Sequence, residues 1–272
     1  MTTLLDTPQA TVAYDEIGAG PPIVMLASGA HDRHDFDEVR AVLGERFRTV
    51  ALDWPAHGES PAPRAPMSAM AFADIAEALV ERVAPDGAIV VGNSVGGFSA
   101  ARLAIRRPEL VRGLVLVDSG GFVGRPPHIR AFCSLMAKPG FLRTIYPLFS
   151  RSYMRSRTDA DRRAQRTGVA ITREDPGLAT VAALWRSFAS PEHDLRADAA
   201  SIAVPTLLIW GRRDPVISLR VGRRVAASIP GSRLVVLDSG HVPQTTHPEQ
   251  FAQELEAFAR EALATDRVRE AA

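Results

Sequence analysis

A single cysteine, Cys133, stands among 272 residues. One thiol excludes an intramolecular disulfide framework and a multi-cysteine zinc site, and it agrees with a reducing compartment. An excess of either charge is also missing. The 32 basic and 31 acidic side chains leave a formal charge of +1, which argues against an electrostatically driven nucleic-acid binder. The opening stretch MTTLLDTPQATVAYDE has no basic segment followed by an apolar run, so no secretory signal is expected. No apolar run approaches the roughly 20 residues needed to cross a bilayer. These absences lead to the expectation of a soluble, cytoplasmic chain with neither nucleic acid nor membrane as partner.

What is present is an ordinary globular composition, 46% hydrophobic and 23% charged, long enough for one large core with an inserted subdomain. Charge is spread unevenly. Residues 121–200 hold 13 Arg or Lys and 7 Asp or Glu, a net of +6. The rest holds 19 basic and 24 acidic residues, a net of −5. Such a shift marks a segment with a different surface role. A solvated arginine-rich helical face explains it most simply, and an anionic ligand is the alternative.

Short, largely apolar runs recur along the chain: Ile23–Ala27, Thr49–Leu52, Ala88–Val91, Leu114–Val117, Thr206–Trp210 and Leu234–Leu237. Runs of this length and β-branched content read as strands buried on both faces. An additional strand is expected at Thr11–Ile17. Helical spacing falls between them, over Phe36–Phe47, from a Ser68 cap to about Val83, over Val95–Arg106 and Leu219–Ile229, and from Pro248 onward. Strands alternating with helices predict an α/β fold, a three-layer αβα sandwich around a mainly parallel sheet. Phe122–Asp198 interrupts the alternation. It has Pro-bounded helical pieces, large apolar side chains such as Phe132, Phe149, Trp185 and Phe188, and no convincing buried strand. The expected organisation is a core domain of residues 1–121 and 199–272, with a helical cap over 122–198 serving as a lid.

The sharpest local signal is Val91-Gly92-Asn93-Ser94-Val95-Gly96-Gly97, in which a buried strand runs into G-x-S-x-G and a helix leaves it. Glycines on either side of the serine let strand and helix approach closely. The turn then projects the Ser94 hydroxyl beyond the sheet, with the Val95 N–H at a helix start where positive partial charge gathers. A serine hydroxyl needs a base to take its proton and a carboxylate to orient that base. Asp214 follows the strand Thr206–Trp210 and His241 follows Leu234–Leu237, so both leave the sheet at the carboxyl edge where Ser94 sits. Asp118, just past Leu114–Val117, is the rival acid.

With these residues in place, nearly all of the chain from Tyr14 to Arg260 resembles the α/β-hydrolase family in its capped form. The resemblance rests on Gly18-Ala19-Gly20-Pro21-Pro22, on Asp53…His57-Gly58-Glu59-Ser60, and on the elbow, acid and histidine in that order. It implies a Ser94–His241–Asp214 triad and an oxyanion hole formed by the N–H groups of Val95 and Ala30, with Gly29 the neighbouring alternative to Ala30. One departure is plain: the His-Gly usual after the first central strand is replaced by Ser28-Gly29-Ala30-His31.

The activity this implies is a serine hydrolase acting through an acyl-enzyme on a small, largely hydrophobic ester or lactone. Carbon–carbon bond hydrolysis and a non-hydrolytic ligand-binding, lyase or oxygenase role are the alternatives. Aspartate-dependent members such as epoxide hydrolases are disfavoured by Ser94 itself. No cofactor is called for. The stretch His31-Asp32-Arg33-His34-Asp35 imitates a metal cluster but reads as a helix start, where acidic residues suit the dipole, so no metal is expected. His57 is expected to shape a turn, His247 to open a helix, and Cys133 to be buried in the cap.

Overall fold

The computed structural model describes residues 1–270, with side chains through Ala264. Eight strands make one sheet: β1 (Thr3–Asp6), β2 (Thr11–Ile17), β3 (Pro22–Leu26), β4 (Arg48–Leu52), β5 (Ala88–Asn93), β6 (Val111–Val117), β7 (Thr206–Gly211) and β8 (Arg233–Leu237). Their spatial order is β1-β2-β4-β3-β5-β6-β7-β8. β2 pairs antiparallel with β1 and β4, while β3 through β8 run parallel. Parallel neighbours need crossovers, and helices supply them.

Alternation along each strand sorts the core into two halves. Val24, Leu26, Val90, Leu114, Leu116, Leu208 and Trp210 face one side. They meet α2 (Ala69–Val83), α3 (Val95–Arg106) and, further along the chain, α8 (Leu219–Ser228). Ile23, Met25, Ile89, Val91, Val115, Leu207 and Ile209 face the other. There they meet α1 (Asp37–Leu43) and the last helix, α10 (Pro248–Glu270). The result is the three-layer αβα sandwich that the alternating runs predict.

Between β6 and β7 stand α4 (Pro127–Met136), α5 (Pro139–Met154), α6 (Asp159–Ile171) and α7 (Asp175–Phe188). Proline opens α4 and α5, where its missing N–H costs nothing. A capping box between Thr158 and Asp161 opens α6. Met136, Leu142, Tyr146, Ile171, Leu178 and Val181 form a small core of their own that also touches Ala30. Buried Asp161 fastens these helices to the short α9 (Pro243–Thr246), accepting from the hydroxyls of Thr245 at 2.6 Å and Thr246 at 2.9 Å.

Two elements differ from the sequence expectation. The single helix expected over Phe36–Phe47 is divided, because Gly44 takes φ +57 and α1 ends there, with tight 3₁₀ turns at Arg33–Phe36 and Gly44–Arg46. β1 was not foreseen. Its side chains are mostly exposed, so no apolar alternation marks it.

Candidate active site

Ser94 holds φ 58° and ψ −114°, a strained conformation for a residue with a Cβ. Three backbone bonds hold it there: its N–H donates to Val117 O at 3.0 Å, and its carbonyl accepts from Gly120 N at 2.8 Å and Phe98 N at 3.0 Å. A Cβ on Gly92 would overlap Gly96 backbone, and one on Gly96 would overlap Leu26 O. The elbow is therefore closed by atoms that admit only glycine. The Ser94 side chain makes no capping bond to α3, which leaves its hydroxyl for other partners. Asn93, fully buried, ties the ends of β5 and β6 to the segment after β8. Its Nδ2 donates to Val117 O and to His241 O, both at 3.0 Å, and its Oδ1 accepts from Gln244 at 3.3 Å.

At the same sheet edge, the His241 Nδ1–H donates to Asp214 Oδ2 at 2.7 Å, with both side chains almost fully buried. The other Asp214 oxygen accepts from the N–H groups of Val216 at 2.7 Å and Ile217 at 3.1 Å. The carboxylate is thus clamped and points one oxygen at the imidazole. With Nδ1 carrying the proton, Nε2 is left as the basic atom. Asp118 lies behind this pair, at φ 39°, with both of its carboxylate oxygens accepting from Gly211 N at 3.0 and 3.1 Å. Burial, then the charge of Asp214 and a hydrogen bond to it, raise the Asp118 pKa well above the usual carboxylate range. The shift favours a protonated Asp118 beside Asp214, and Asp214 is the acid whose oxygen touches the histidine. The geometry favours Asp214 over its rival.

The loop after β3 corrects one expectation. The Ala30 N–H is already engaged, donating to His57 Nε2 at 3.1 Å, and Ala30 is not among the cavity-lining residues. Ser28 and Gly29 are. Ala30 takes φ +60° to turn the chain away. The neighbouring alternative, the Gly29 N–H, therefore replaces Ala30 as the loop's candidate oxyanion donor. His57, expected only to shape a turn, braces this loop. Its Nδ1–H donates to Pro55 O at 2.9 Å, so its Nε2 is an acceptor. Complete burial lowers its pKa to about 4, with the charge of His31 acting in the same direction. The ring is neutral at physiological pH.

Ser94, Val95, Gly29 and His241 open on one cavity of about 250 Å³. Its walls come largely from the helices between β6 and β7: Ile129, Phe132, Phe149, Val181, Leu184, Trp185 and Phe188. Phe132, Phe149 and Trp185 pack edge-on and tilted around one another at 5.4–6.1 Å. Arg125 is the arginine of this segment that reaches the cavity, and its Nε donates to Ala189 O at 2.8 Å. The walls are those of a pocket for an apolar ligand body with a few polar groups.

A family model described as alpha/beta hydrolase fold matches residues 21–248. The chain belongs to that family. A pimeloyl-[acyl-carrier protein] methyl ester esterase from Chromobacterium violaceum is 31% identical over 252 residues, covering 89% of this chain and 95% of the relative. The enzyme of that name from Neisseria meningitidis serogroup A is 32% identical over 245 residues, covering 85% and 74%. Among solved structures, a hydrolase from Pseudomonas aeruginosa PA01 aligns with a TM-score of 0.80 at 26% identity, over 94% of this chain and 97% of that one. At the level these relatives share, the chain is a hydrolase of this fold.

Within this α/β-hydrolase, the remaining sequence candidates find other places. His31 is fully buried, with Nδ1 2.8 Å from Asp35 and Nε2 2.9 Å from the Tyr153 hydroxyl. Asp53 accepts from the N–H groups of Arg33 and Glu59 and pairs with the Arg33 guanidinium, organising the turn ahead of Ser60. Asp238 forms surface ion pairs with Arg157 and Arg213. His247 Nε2 lies 3.3 Å from Asp238 O, ahead of α10. Cys133 borders the cavity, but burial pushes its thiol up to about 11, which keeps it protonated and unreactive. Asp118, Asp214 and His241 bring one possible metal-ligand atom each within 4.8 Å of the others. Hydrogen bonds to Gly211, Val216 and Ile217 and between the residues themselves already account for that approach. Among the described residues no helix is long and apolar enough to cross a membrane.

Sequence reasoning missed Tyr153 and Tyr146. Tyr153 O accepts from the His241 N–H at 2.9 Å, and its ring stands edge-on to the imidazole at 5.7 Å. Nothing in their spacing separates these two tyrosines from the other apolar residues of α5.

Proposed function

We propose that the protein is a serine hydrolase that cleaves a small carboxylic ester or lactone through an acyl-enzyme. The observation that carries this reading is the 2.7 Å bond from His241 Nδ1 to a clamped Asp214, opening on the cavity that a strained Ser94 also borders. Ser94 Oγ attacks the carbonyl carbon while His241 Nε2 takes its proton. Asp214 keeps the proton of Nδ1 in place and stabilises the imidazolium. The N–H groups of Val95 and Gly29 bind the oxyanion, the first at the positive end of α3. The C–O bond breaks as Nε2 returns the proton to the leaving alcohol. Water, activated by the same imidazole, then releases the acid.

The helices between β6 and β7 act as a cap, giving the cavity its aromatic wall and keeping water from the acyl-enzyme. Walls of this kind suit a hydrophobic acyl body. A methyl ester, the class named for the Chromobacterium and Neisseria relatives, has a leaving group that needs little room. The chain's partner on this reading is a small-molecule substrate, and its place of action is the cytoplasm.

The test is a panel of short-chain methyl esters, lactones and vinylogous diketones assayed with the wild type and Ser94→Ala, alongside labelling by a fluorophosphonate. Ester or lactone turnover and labelling, both lost in Ser94→Ala, support the reading. Turnover of diketones alone points to carbon–carbon cleavage. A folded wild type that neither labels nor turns over any of them removes Ser94 from the nucleophile role.

A further inference from the structure

A polar chain that the hydrolytic mechanism does not use ends at the cavity. Asp35 Oδ2 lies 2.8 Å from His31 Nδ1, with the carboxylate and the imidazole both buried. His31 Nε2 lies 2.9 Å from the Tyr153 hydroxyl, which lies 2.7 Å from the Tyr146 hydroxyl. Tyr146 and Tyr153 line the cavity, whereas His31 and Asp35 are not among its lining residues. We propose that the Tyr146–Tyr153 hydroxyl pair, held by His31 and Asp35, is a second polar subsite that takes an uncharged oxygen acceptor of the substrate other than the scissile carbonyl, such as a second carbonyl. The proposal deepens the hydrolase reading and rests on it for the identity of the reacting ester.

Hydrogen-bond accounting supports it. The Tyr153 oxygen has two side-chain partners, His31 and Tyr146, whereas the Tyr146 hydroxyl has Tyr153. A phenol offers one donor and accepts as well, so Tyr146 keeps capacity for a ligand. The direction of the chain decides which kind. Burial works against a charged His31, but Asp35 and then Asp32 outweigh it and raise its pKa above the ordinary value. In its charged form, the imidazole faces Asp35 with Nδ1 as an ion pair and donates from Nε2 to the Tyr153 hydroxyl. Tyr153 then donates to Tyr146, and the Tyr146 proton is left for the cavity. Burial raises the pKa values of both phenols, so they remain donors.

Fastening the helices to the sheet does not require this chain. Asp161 already binds Thr245 and Thr246, Thr158 Oγ1 donates to Thr245 O at 2.9 Å, and the His241 N–H donates to backbone of α5. A buried carboxylate–imidazole pair is also a poor device for docking alone, since well-packed apolar residues of similar size serve as well or better. Placed on the wall of a largely apolar cavity, it fixes where a second oxygen of the substrate can sit.

The experiment compares methyl heptanoate with the series of its mono-oxo analogues. In the wild type, at least one oxo isomer is expected to exceed the plain ester in kcat/KM by about 3- to 10-fold, the worth of one neutral hydrogen bond. Tyr146→Phe is expected to erase that ratio. A structural role for Tyr146 would lower both substrates together and leave the ratio intact, which would overturn the proposal. So would a wild type that favours no oxo isomer. Calorimetric binding of the same esters to Ser94→Ala keeps the question open to refutation should Tyr146→Phe not fold: the favoured isomer must bind about 3- to 10-fold more tightly than methyl heptanoate, and equal binding overturns the subsite. Oxo preference in binding without wild-type turnover would instead defeat the hydrolase reading and leave the subsite standing.

Discussion

The Ala30 N–H donates to His57 Nε2 at 3.1 Å, joining the loop after β3 to the turn after β4. The bond requires a neutral His57 with its proton on Nδ1, and Pro55 O enforces that tautomer. The consequence lies one residue upstream. With Ala30 engaged and turned to φ +60°, Gly29 is presented to the cavity beside Val95. His57, which is not among the cavity-lining residues, thus sets the position of the N–H proposed as one oxyanion donor.

Replacing His57 by Ala is expected to leave the buried Ala30 N–H unpaired and to destabilise the fold by about 1–3 kcal/mol. Deleting an oxyanion donor outright costs about 10²–10³ in kcat. Loosening one should cost less, and a fall in kcat of about tenfold with a smaller change in KM is expected from steady-state assays. A KM effect alone would place His57 outside the oxyanion machinery.

Acid should unfold the protein early. The His57 pKa is near 4 in the fold and 6.5 outside it, so the unfolded chain binds the extra proton between those values. Its contribution is present above pH 6.5 and is lost as pH falls toward 4, up to about 3 kcal/mol. His193, stacked between Phe98 and Phe188 at 4.6 and 4.8 Å, is also lowered to about 4 by burial and adds to the same decline. His31 has the opposite sign, and its contribution is lost only above pH 6.5 as its raised pKa is passed. Urea midpoints should therefore fall steeply from pH 7 to pH 5, and His193→Phe, which keeps the stacking, should make the decline shallower.

Which parts of the molecule could be read from sequence follows from how each is held together. Ile23–Leu26, Ala88–Val91 and Thr206–Trp210 are strands buried on both faces, so their apolar runs declare them. The Gly-x-Ser-x-Gly spacing declares Ser94, because sterics at Gly92 and Gly96 admit no other residue. Strand ends bring out His241 and two candidate acids, Asp118 and Asp214. They do not bring out the register of the loop after β3, because it turns on a single hydrogen bond from the Ala30 N–H to the His57 imidazole, 27 positions apart. Tyr146, Tyr153, His31 and Asp35 are equally silent. Their roles come from tertiary contacts between α5 and the loop after β3, and neither segment carries a periodic signal for them.

Asp118 and Asp214 are separable by a pair of amides. Asp118→Asn keeps an acceptor for the Gly211 N–H and a donor toward Asp214, so kcat/KM should stay within about threefold. Asp214→Asn should cost about 10³- to 10⁴-fold by disturbing the imidazole tautomer. Stability adds a second measurement. The Asp118 pKa is raised in the fold, so the native state holds a proton that the unfolded chain releases. Its contribution is complete below the ordinary carboxylate pKa and is lost as pH rises toward the folded value. Asp118→Asn removes that loss and should gain stability over the wild type as pH increases from 4 to 8.

Two glycine-to-alanine exchanges should part company. At Gly96 a Cβ would overlap Leu26 O and approach Ala27 O, both backbone atoms that cannot step aside. Strand β3 or helix α3 must move, at a cost of about 1–3 kcal/mol. Because that contact sets the height of Ser94 over the sheet, even about 1 Å of displacement should lower kcat by about 10²-fold. At Gly140, in the first turn of α5, a Cβ meets nothing within 4 Å. Alanine there should raise the melting temperature slightly, through its better helix propensity of about 1 kcal/mol at most, and leave kcat alone. Equal tolerance at both positions would mean that the elbow is not held by the approach of α3 to β3, and the strain at Ser94 would need another source.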